Sequence, residues 1–354
     1  MTPTQVNIRA SIIIVNFNSG DDLSRCLESL YKSNLPNDEI IVVDNASTDC
    51  SIENIRDNFS KVCCITSPTN LGFGGACNLA SRYGMGKYLA FLNPDTTVTP
   101  GWLDAMIAVL DANPKVGLVT PKILLLHTPE RINTCGNDVH ISGLTLCRGM
   151  ESTKNEFNQI EPVGAVSGAT FVIRKELFAA LGGFDESFFL YMEDTDLSWR
   201  ARLAGRHILY VPQAIIFHDY KLCFCKRKIF YQERNRYCML LKCLQWRTLL
   251  VLLPALVLGE AVTWGFCLLH NWSGMWEKCH AYIWLAANLP KIMKARRQTQ
   301  TLRRVCDEVL ISSTGYRLMF EQPQDGPVAR LAHQGFDPLF AICKAIALWG
   351  VKRG

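Results

Sequence analysis

Over its first two thirds the chain repeats one order of apolar and polar positions: a short continuous apolar run, a polar tip, then an amphipathic stretch. Ile12, Ile13, Ile14 and Val15 make the first run, β-branched throughout, as in a strand buried on both faces of a parallel sheet. It ends in the tip Asn16-Phe17-Asn18-Ser19-Gly20. Leu23, Cys26, Leu27 and Leu30 follow at helical spacing behind an acidic start, which predicts a helix over 21–31. A second run at 40–43 ends in Asp44-Asn45-Ala46-Ser47-Thr48-Asp49. Runs at 62–66 and 88–92 continue the scheme, with Asn70-Leu71-Gly72-Phe73-Gly74-Gly75-Ala76-Cys77-Asn78 opening the helix between them and Asn93-Pro94-Asp95-Thr96-Thr97 as the fourth tip. This succession of βα units implies an α/β, mostly parallel sheet covered by helices, with ligands beyond the carboxyl ends of the strands.

A helix over 100–110 and an extended segment over 117–126 come next. Between 127 and 163 the periodicity weakens and Gly, Asn, Ser and Thr are frequent, the character of a long excursion lining or covering a site. A strand at 168–173 and a short helix at 175–181 lead to a different kind of stretch, from Gly182-Gly183-Phe184-Asp185-Glu186 through Glu193-Asp194-Thr195-Asp196 to Trp199-Arg200. Residues 201–205 complete a helix, 207–211 form a strand, and 214–217 lead into His218. Residues 248–269 are apolar for about the length of a membrane span, interrupted by Pro254 and Glu260, with Trp246, Trp264, Trp272 and Trp276 near the edges. Basic residues crowd both sides, at 221–236 and 291–304, so a single crossing would put one basic flank on the wrong side. An interfacial or re-entrant helical pair fits better, with 282–289 as its short second member. The tail from 301 has a turn at 322–327 and an apolar helix near 340–348.

The 354 residues are enough for one large domain with an appendage, and a net charge of +5 gives no argument for nucleic acid. Fifteen cysteines occur singly or as Cys63-Cys64 and Cys223-Phe224-Cys225, without the paired CxxC of a zinc site, so they read as reduced, mostly buried apolar residues. The N-terminus shows no signal-peptide succession, so the catalytic part is expected in the cytoplasm.

Three carboxylates within four positions, Glu193, Asp194 and Asp196, repel one another, and behind an apolar wall at least one should gain proton affinity useful to a base. An acidic first turn favoured by the helix macrodipole would explain the same residues. Asp44 and Asp49 flank a tight turn where a carboxylate can accept from a base or ribose, and Asn45 or Ser47 can hold the backbone. Asp95, projected by its proline turn, suits a hard divalent cation that also takes phosphate oxygens, and His218 is either a further ligand or an edge histidine. The glycines at 72, 74 and 75 complete neither GxGxxG nor a P-loop. What these tips share is position: each closes a βα unit, so base, ribose, diphosphate and metal functions fall on one sheet edge.

Taken together, Asn16-Phe17-Asn18, Asp44 to Asp49, Asn70-Leu71-Gly72-Phe73, Asn93-Pro94-Asp95, Ser167-Gly168-Ala169, Gly182-Gly183-Phe184-Asp185-Glu186 and Glu193-Asp194-Thr195-Asp196 resemble, in order and spacing over 8–236, family 2 glycosyltransferases of the GT-A fold, nearest the bacterial rhamnosyltransferase-like branch. The resemblance implies a Rossmann-like catalytic domain over 1–236, an apolar helical membrane-associated region over 237–300 and a partly helical tail over 301–354. It implies inverting transfer of rhamnose or a similar sugar from a dTDP- or UDP-sugar to a glycan or lipid-linked hydroxyl, in cell-surface polysaccharide synthesis at the cytoplasmic face of the inner membrane. Asn16, Asn18, Asp44, Asn45 and Ser47 would hold the nucleotide; Asn70, Gly72, Phe73, Gly74 and Asn78 the ribose and diphosphate side. Asn93, Gly168 and Ala169 would complete the donor site. Asn93-Pro94-Asp95 stands in place of the family's DxD, so Asp95 would carry Mg2+ or Mn2+ with His218, and Asp194 would be the base with Glu193 in support. Two alternatives remain, a non-catalytic nucleotide-sugar-binding membrane scaffold and a processive polysaccharide synthase, although no QxxRW segment follows the acidic motif.

Overall fold

The structure is a computed structural model that describes residues 8–221, 225–270, 272–318 and 327–352. They fall into two compact units, one of 1–136, 147–197 and 206–220, the other of 137–146, 198–205 and 221–354.

The first unit is built on one sheet. Strands β1 (Ala10–Asn16), β2 (Asp38–Asp44), β3 (Val62–Thr66) and β4 (Tyr88–Leu92) pair in parallel in the order β4-β1-β2-β3. Every residue of β1 and β4 is buried, which is why these runs carry no polar alternation. Helices α1 (Asp22–Lys32), α2 (Ser51–Asn58) and α3 (Gly72–Tyr83) provide the crossovers. Short β5 (Thr96–Val98) and helix α4 (Trp102–Ala112) lead to β6 (Val116–Leu125). Leu23, Cys26, Leu27 and Leu30 of α1 and Trp102, Leu103, Met106 and Leu110 of α4 enter one core with Ile12 and Ile14 of β1. Each such buried side chain contributes about 1.5–3 kcal/mol.

The excursion after 127 is not structureless. It holds β7 (Ile132–Thr134) on β6, a hairpin of β8 (Asn137–Val139) with β9 (Thr145–Cys147), and β10 (Glu161–Pro162) on the sheet edge. Lys122 of β6 pins it from beneath, donating to the carbonyls of Lys154 (2.8 Å) and Glu156 (2.9 Å) and to Asn158 Oδ1 (2.9 Å). Strand β11 (Thr170–Arg174) runs antiparallel between β4 and β6, so the sheet is mixed though mostly parallel. Helix α5 (Lys175–Ala180) follows, then α6 (Glu193–Leu203) and β12 (His207–His218). The two strand pieces expected around 207–218 are one strand, with a register shift between Val211 and Ile215.

The second unit is largely helical: α7 (Lys226–Cys243), α8 (Trp246–His270), α9 (Trp272–Ala287), α10 (Leu289–Thr301), α11 (Asp307–Ser312) and α12 (Pro327–Lys352). Helix α7 packs with α9 and α10. Its last carbonyls are capped by side chains of the 291–304 basic stretch, Arg296 to Leu241 and Leu244, and Arg303 to Cys243 at 2.7 Å. The pair expected within 248–289 is longer than expected, since α9 begins at Trp272 and α10 continues to Thr301. Helix α8 is long and apolar enough to cross a membrane by length and composition, and 17% of its apolar window is buried. The turn expected at 322–326 lies outside the described residues, and the tail helix runs over Pro327–Lys352 instead of 340–348.

Candidate active site

The carboxyl ends of β1, β2 and β4 meet the start of α3 and the head of α6 within the first unit, and hydrogen bonds join them in a continuous series. At the end of β1, Asn16 is fully buried; its Nδ2 donates to Ser51 Oγ (2.8 Å), Ser47 Oγ (3.1 Å) and Asp44 Oδ1 (3.2 Å). Asn16 Oδ1 has no hydrogen-bond partner. Asn18 takes a left-handed φ of 53°, a conformation asparagine tolerates, and accepts from the Thr48 amide at 2.7 Å. Ser47 Oγ accepts from the Asn18 amide at 3.1 Å, so the first two tips are laced together.

Asn45 is committed to the next element. Its Nδ2 donates to Asn70 Oδ1 (3.1 Å) and the Gly72 carbonyl (3.2 Å), and its Oδ1 accepts from the Leu71 amide (2.8 Å). Asn70 Oδ1 in turn accepts from the Gly72 amide at 2.8 Å, forming the turn that starts α3. Gly72 has φ +72°, and any Cβ there would overlap the Phe189 carbonyl, which accepts from the Phe73 amide at 2.8 Å. A Cβ at Gly74 would crowd Phe184 and come within 3.9 Å of Glu193 Cβ. Asn78 lies farther along α3 and serves the loop behind the site: Oδ1 accepts from the Phe184 amide (2.9 Å), and Nδ2 donates to the Phe184 carbonyl (2.9 Å) and Glu186 Oε1 (3.0 Å). Asn45 and Asn78 thus have amides filled by neighbouring protein, and their part in the site is to position it.

The fourth tip is tied to the acids through 167–169. The Asn93 amide donates to the Ala169 carbonyl at 2.9 Å, and the Gly168 amide donates to Asp194 Oδ2 at 2.7 Å. Asp194 Oδ1 accepts from the Thr195 amide at 2.6 Å, so the carboxylate also closes the first turn of α6. Every residue of α6 is buried although the helix is rich in charge. Burial, followed by the charge of Asp194, pushes Glu193 up to about 8. Asp194 is also raised by burial, opposed by the Thr195 and Gly168 amides. Glu193 Oε2 has no hydrogen-bond partner among the described residues. The residues leading in, Phe189, Tyr191 and Met192, all have left-handed φ near 65° without being glycine, a cost of about 1–3 kcal/mol each that surrounding contacts must hold.

Asp95 and His218 face each other, Oδ1 to Nε2 at 3.3 Å. The other ring nitrogen of His218 lies 2.9 Å from Asn133 Oδ1 on β7. An amide oxygen can only accept, so Nδ1 carries a hydrogen and it is Nε2 that faces the carboxylate. Asp95 Oδ1 is buried and makes no hydrogen bond of ordinary geometry. Two electron-rich atoms in that arrangement fit a shared cation, with Asn133 orienting the imidazole from behind. Among the described residues no third His, Cys, Asp or Glu joins them, so phosphate oxygens or water would complete the coordination. Asn133 and Ser51 are the participants the sequence does not announce; Ser51 stands just beyond the Asp44 to Asp49 turn, and Asn133 sits in the aperiodic excursion.

The sequence profile described as Glycosyl transferase family 2 matches residues 11–181. Residues 11–181 belong to glycosyl transferase family 2. The glycosyltransferase is 28% identical over 229 residues to an N-acetylglucosaminyl-diphospho-decaprenol L-rhamnosyltransferase of Mycobacterium tuberculosis, covering 58% of this chain and 75% of the relative. It is 29% identical over 221 residues to the O-antigen biosynthesis protein RfbC of Myxococcus xanthus, covering 58% and 17%. The crystal structure of S. aureus TarS 1-349 in complex with UDP-GlcNAc has a TM-score of 0.54 at 15% identity, covering 97% of this chain and 89% of that one. GalNAc-T7 with UDP, GalNAc and Mn2+ has a TM-score of 0.57 at 18% identity, covering 66% and 48%. These likenesses place the fold of the glycosyltransferase among GT-A enzymes, as its sequence leads one to expect.

Proposed function

We propose that the glycosyltransferase moves rhamnose or a similar sugar, with inversion, from a dTDP- or UDP-sugar to a hydroxyl of a glycan or lipid-linked acceptor in cell-surface polysaccharide synthesis. The observation that carries this reading is the buried Glu193–Asp194 pair, hydrogen-bonded through Gly168 to the same strand ends that hold Asn16, Asp44 and Asp95. The Mycobacterium tuberculosis relative is named for a rhamnosyl transfer to a lipid-linked sugar, which favours that donor and acceptor class.

Asn16, Asn18, Asp44 and Ser47 frame the nucleotide, while the backbone of 70–74 approaches the ribose and diphosphate. Asp95 and His218 would hold Mg2+ or Mn2+, which when bound would supply charge to offset that of the departing diphosphate. Near neutral pH the elevated affinity of Glu193 keeps one shared proton on the pair, and the two backbone amides favour the anion on Asp194. Asp194 then accepts the acceptor hydroxyl proton as its oxygen attacks the anomeric carbon from the face opposite the leaving group. Asp194→Asn is expected to bind donor with unchanged affinity and to lose transfer by about 10²-fold or more. Near-normal transfer by that variant would assign the base elsewhere, and loss of donor binding would assign Asp194 to the donor site instead. Thermal stabilisation by a panel of nucleotide sugars with Mn2+ identifies the donor, since ligand at ~100 times its dissociation constant adds about 2.7 kcal/mol.

The acceptor side rests on α8. Leu250, Leu253 and Val257 are exposed along one stripe, whereas Glu260 turns inward to Arg236, Lys278 (3.1 Å), Tyr237 and Tyr282. A helix whose glutamate is bound within its own unit and whose outer stripe is apolar suits peripheral or re-entrant seating on the cytoplasmic face of the inner membrane.

A further inference from the structure

The second unit contains a cavity of about 480 Å3 lined by Asp138, His140, Leu146, Thr314, Tyr316, Arg317 and Lys344. Its walls are joined by backbone: the Ile141 amide donates to the Gly315 carbonyl and the Gly315 amide to the Val139 carbonyl, both at 2.8 Å. Two cations reach it without an acidic partner among the described residues. Lys344 Nζ donates to the carbonyls of Ser312, at 3.3 Å, and Thr314, which leaves its third donor and its full charge uncompensated. Arg317 touches only the ring of Tyr316, at 5.9 Å from its centroid, and neither side chain forms an ion pair among the described residues. Asp138, on the same wall, already has a partner.

His140 adds a neutral wall. It is fully buried against Phe340, ring centroids 4.4 Å apart, and burial lowers its proton affinity to about 4. Nδ1 accepts from the Ser142 amide at 3.2 Å and lies 2.7 Å from Ser142 Oγ, so the hydrogen is on Nε2. The other ring nitrogen faces the backbone of Tyr316, so the imidazole serves as a neutral wall. A lysine and an arginine at one hollow form a donor set for a polyvalent oxyanion. The volume exceeds a single phosphate and accommodates a diphosphate or a substituted phosphate.

The geometry points to a phosphate-binding site in this cavity, independent of the transferase chemistry, whose ligand is a phosphate or diphosphate group. Helix α12 presents Lys344 to the cavity and, on its opposite face, exposed Leu339, Ile342, Ile346 and Trp349. The phosphate can be carried by a soluble molecule or by a lipid headgroup, two sources that the test separates.

The test uses the full chain in chelator, so that cation-bridged binding at the catalytic edge does not contribute. Binding of inorganic pyrophosphate is measured by calorimetry, and sedimentation is measured with phosphatidylcholine vesicles with and without phosphatidic acid. Arg317→Gln and Lys344→Gln are each expected to weaken pyrophosphate binding at least tenfold, while Asp194-dependent transfer to a soluble acceptor, assayed separately with Mn2+ and without chelator, persists. Arg317 is exposed, so its replacement keeps the test valid should Lys344→Gln fold poorly. A gain in sedimentation on adding phosphatidic acid, above that on phosphatidylcholine alone and present in the wild type but not in the variants, identifies a lipid headgroup; discrimination with pyrophosphate alone identifies a soluble phosphate. Failure of the wild type to bind either probe, or equal binding by Arg317→Gln, overturns the site.

Discussion

Glu193 and Asp194 are neighbours in the chain, yet their surroundings give them different chemistry. Asp194 has two backbone amides on its oxygens, and Glu193 has an oxygen with none. That contrast has a consequence for stability. The proton affinity of Glu193 is raised on folding, so its contribution is full below about 4.5 and is lost as pH rises through about 8. Glu193→Gln removes the titration. Its melting temperature should therefore rise relative to the wild type between pH 5 and 8.5, by roughly 2–4 °C for each kcal/mol recovered; parallel melting curves across that range would refute the shift. Little of this contrast was legible beforehand. Three acids in four positions announce repulsion, but which oxygen meets Gly168 depends on a segment 26 residues away in sequence. Asn45 and Asn78 show the same limit, since a tip asparagine that faces ligand and one that faces the protein look alike until their partners are known.

At the scale of elements, β3 and β4 occupy the runs 62–66 and 88–92 because continuous apolar β-branched and aromatic segments bounded by polar tips have few other solutions. The strands β7 to β10 were hidden: two or three residues are too few to display a period. Helix α2 offers Ile52 and Ile55 alone as its buried apolar contacts, a single turn of signal. The joint between α3 and the 189–192 segment is the most exacting contact between elements at the site. Gly72→Ala would combine an unfavourable left-handed φ, costing about 1–2 kcal/mol, with overlap against the Phe189 carbonyl. Transfer should fall more than donor-independent stability accounts for, because the displaced carbonyl belongs to the strand of chain that delivers Glu193. Gly182→Ala is the control, left-handed but with open space around its Cβ position; equal losses in the two would show that φ alone matters.

At the scale of the whole molecule, the apolar stretch at 248–269 was visible at once, but its charge was not interpretable. Glu260 reads as an interruption in a sequence; in the fold it is one corner of a network with Glu233, Arg236, Lys278, Tyr237 and Tyr282. Lys278 is almost fully buried and pairs with Glu233 at 2.8 Å. Paired in this way, the charges are compensated, whereas removal of one partner leaves the rest buried and unmatched, typically at 3–5 kcal/mol. The outer stripe behaves oppositely. Leu253→Glu with Val257→Glu should leave the melting temperature nearly unchanged, as exposed sites do, while lowering recovery on phosphatidylcholine vesicles at least tenfold. Undiminished recovery would remove α8 from the membrane contact.

The Glu260 network also bears on how the enzyme could take up residence. A helix that crosses a bilayer must be threaded there during synthesis and then stays. In the peripheral seating proposed above, a helix whose glutamate is already matched by Arg236 and Lys278 would arrive finished, and would settle on a lipid surface and leave it without rearrangement. Its abundance at the membrane would then follow a partition equilibrium, set by how much surface is available and what that surface contains, so that a cell could redistribute the same molecules between sites of synthesis without making new ones.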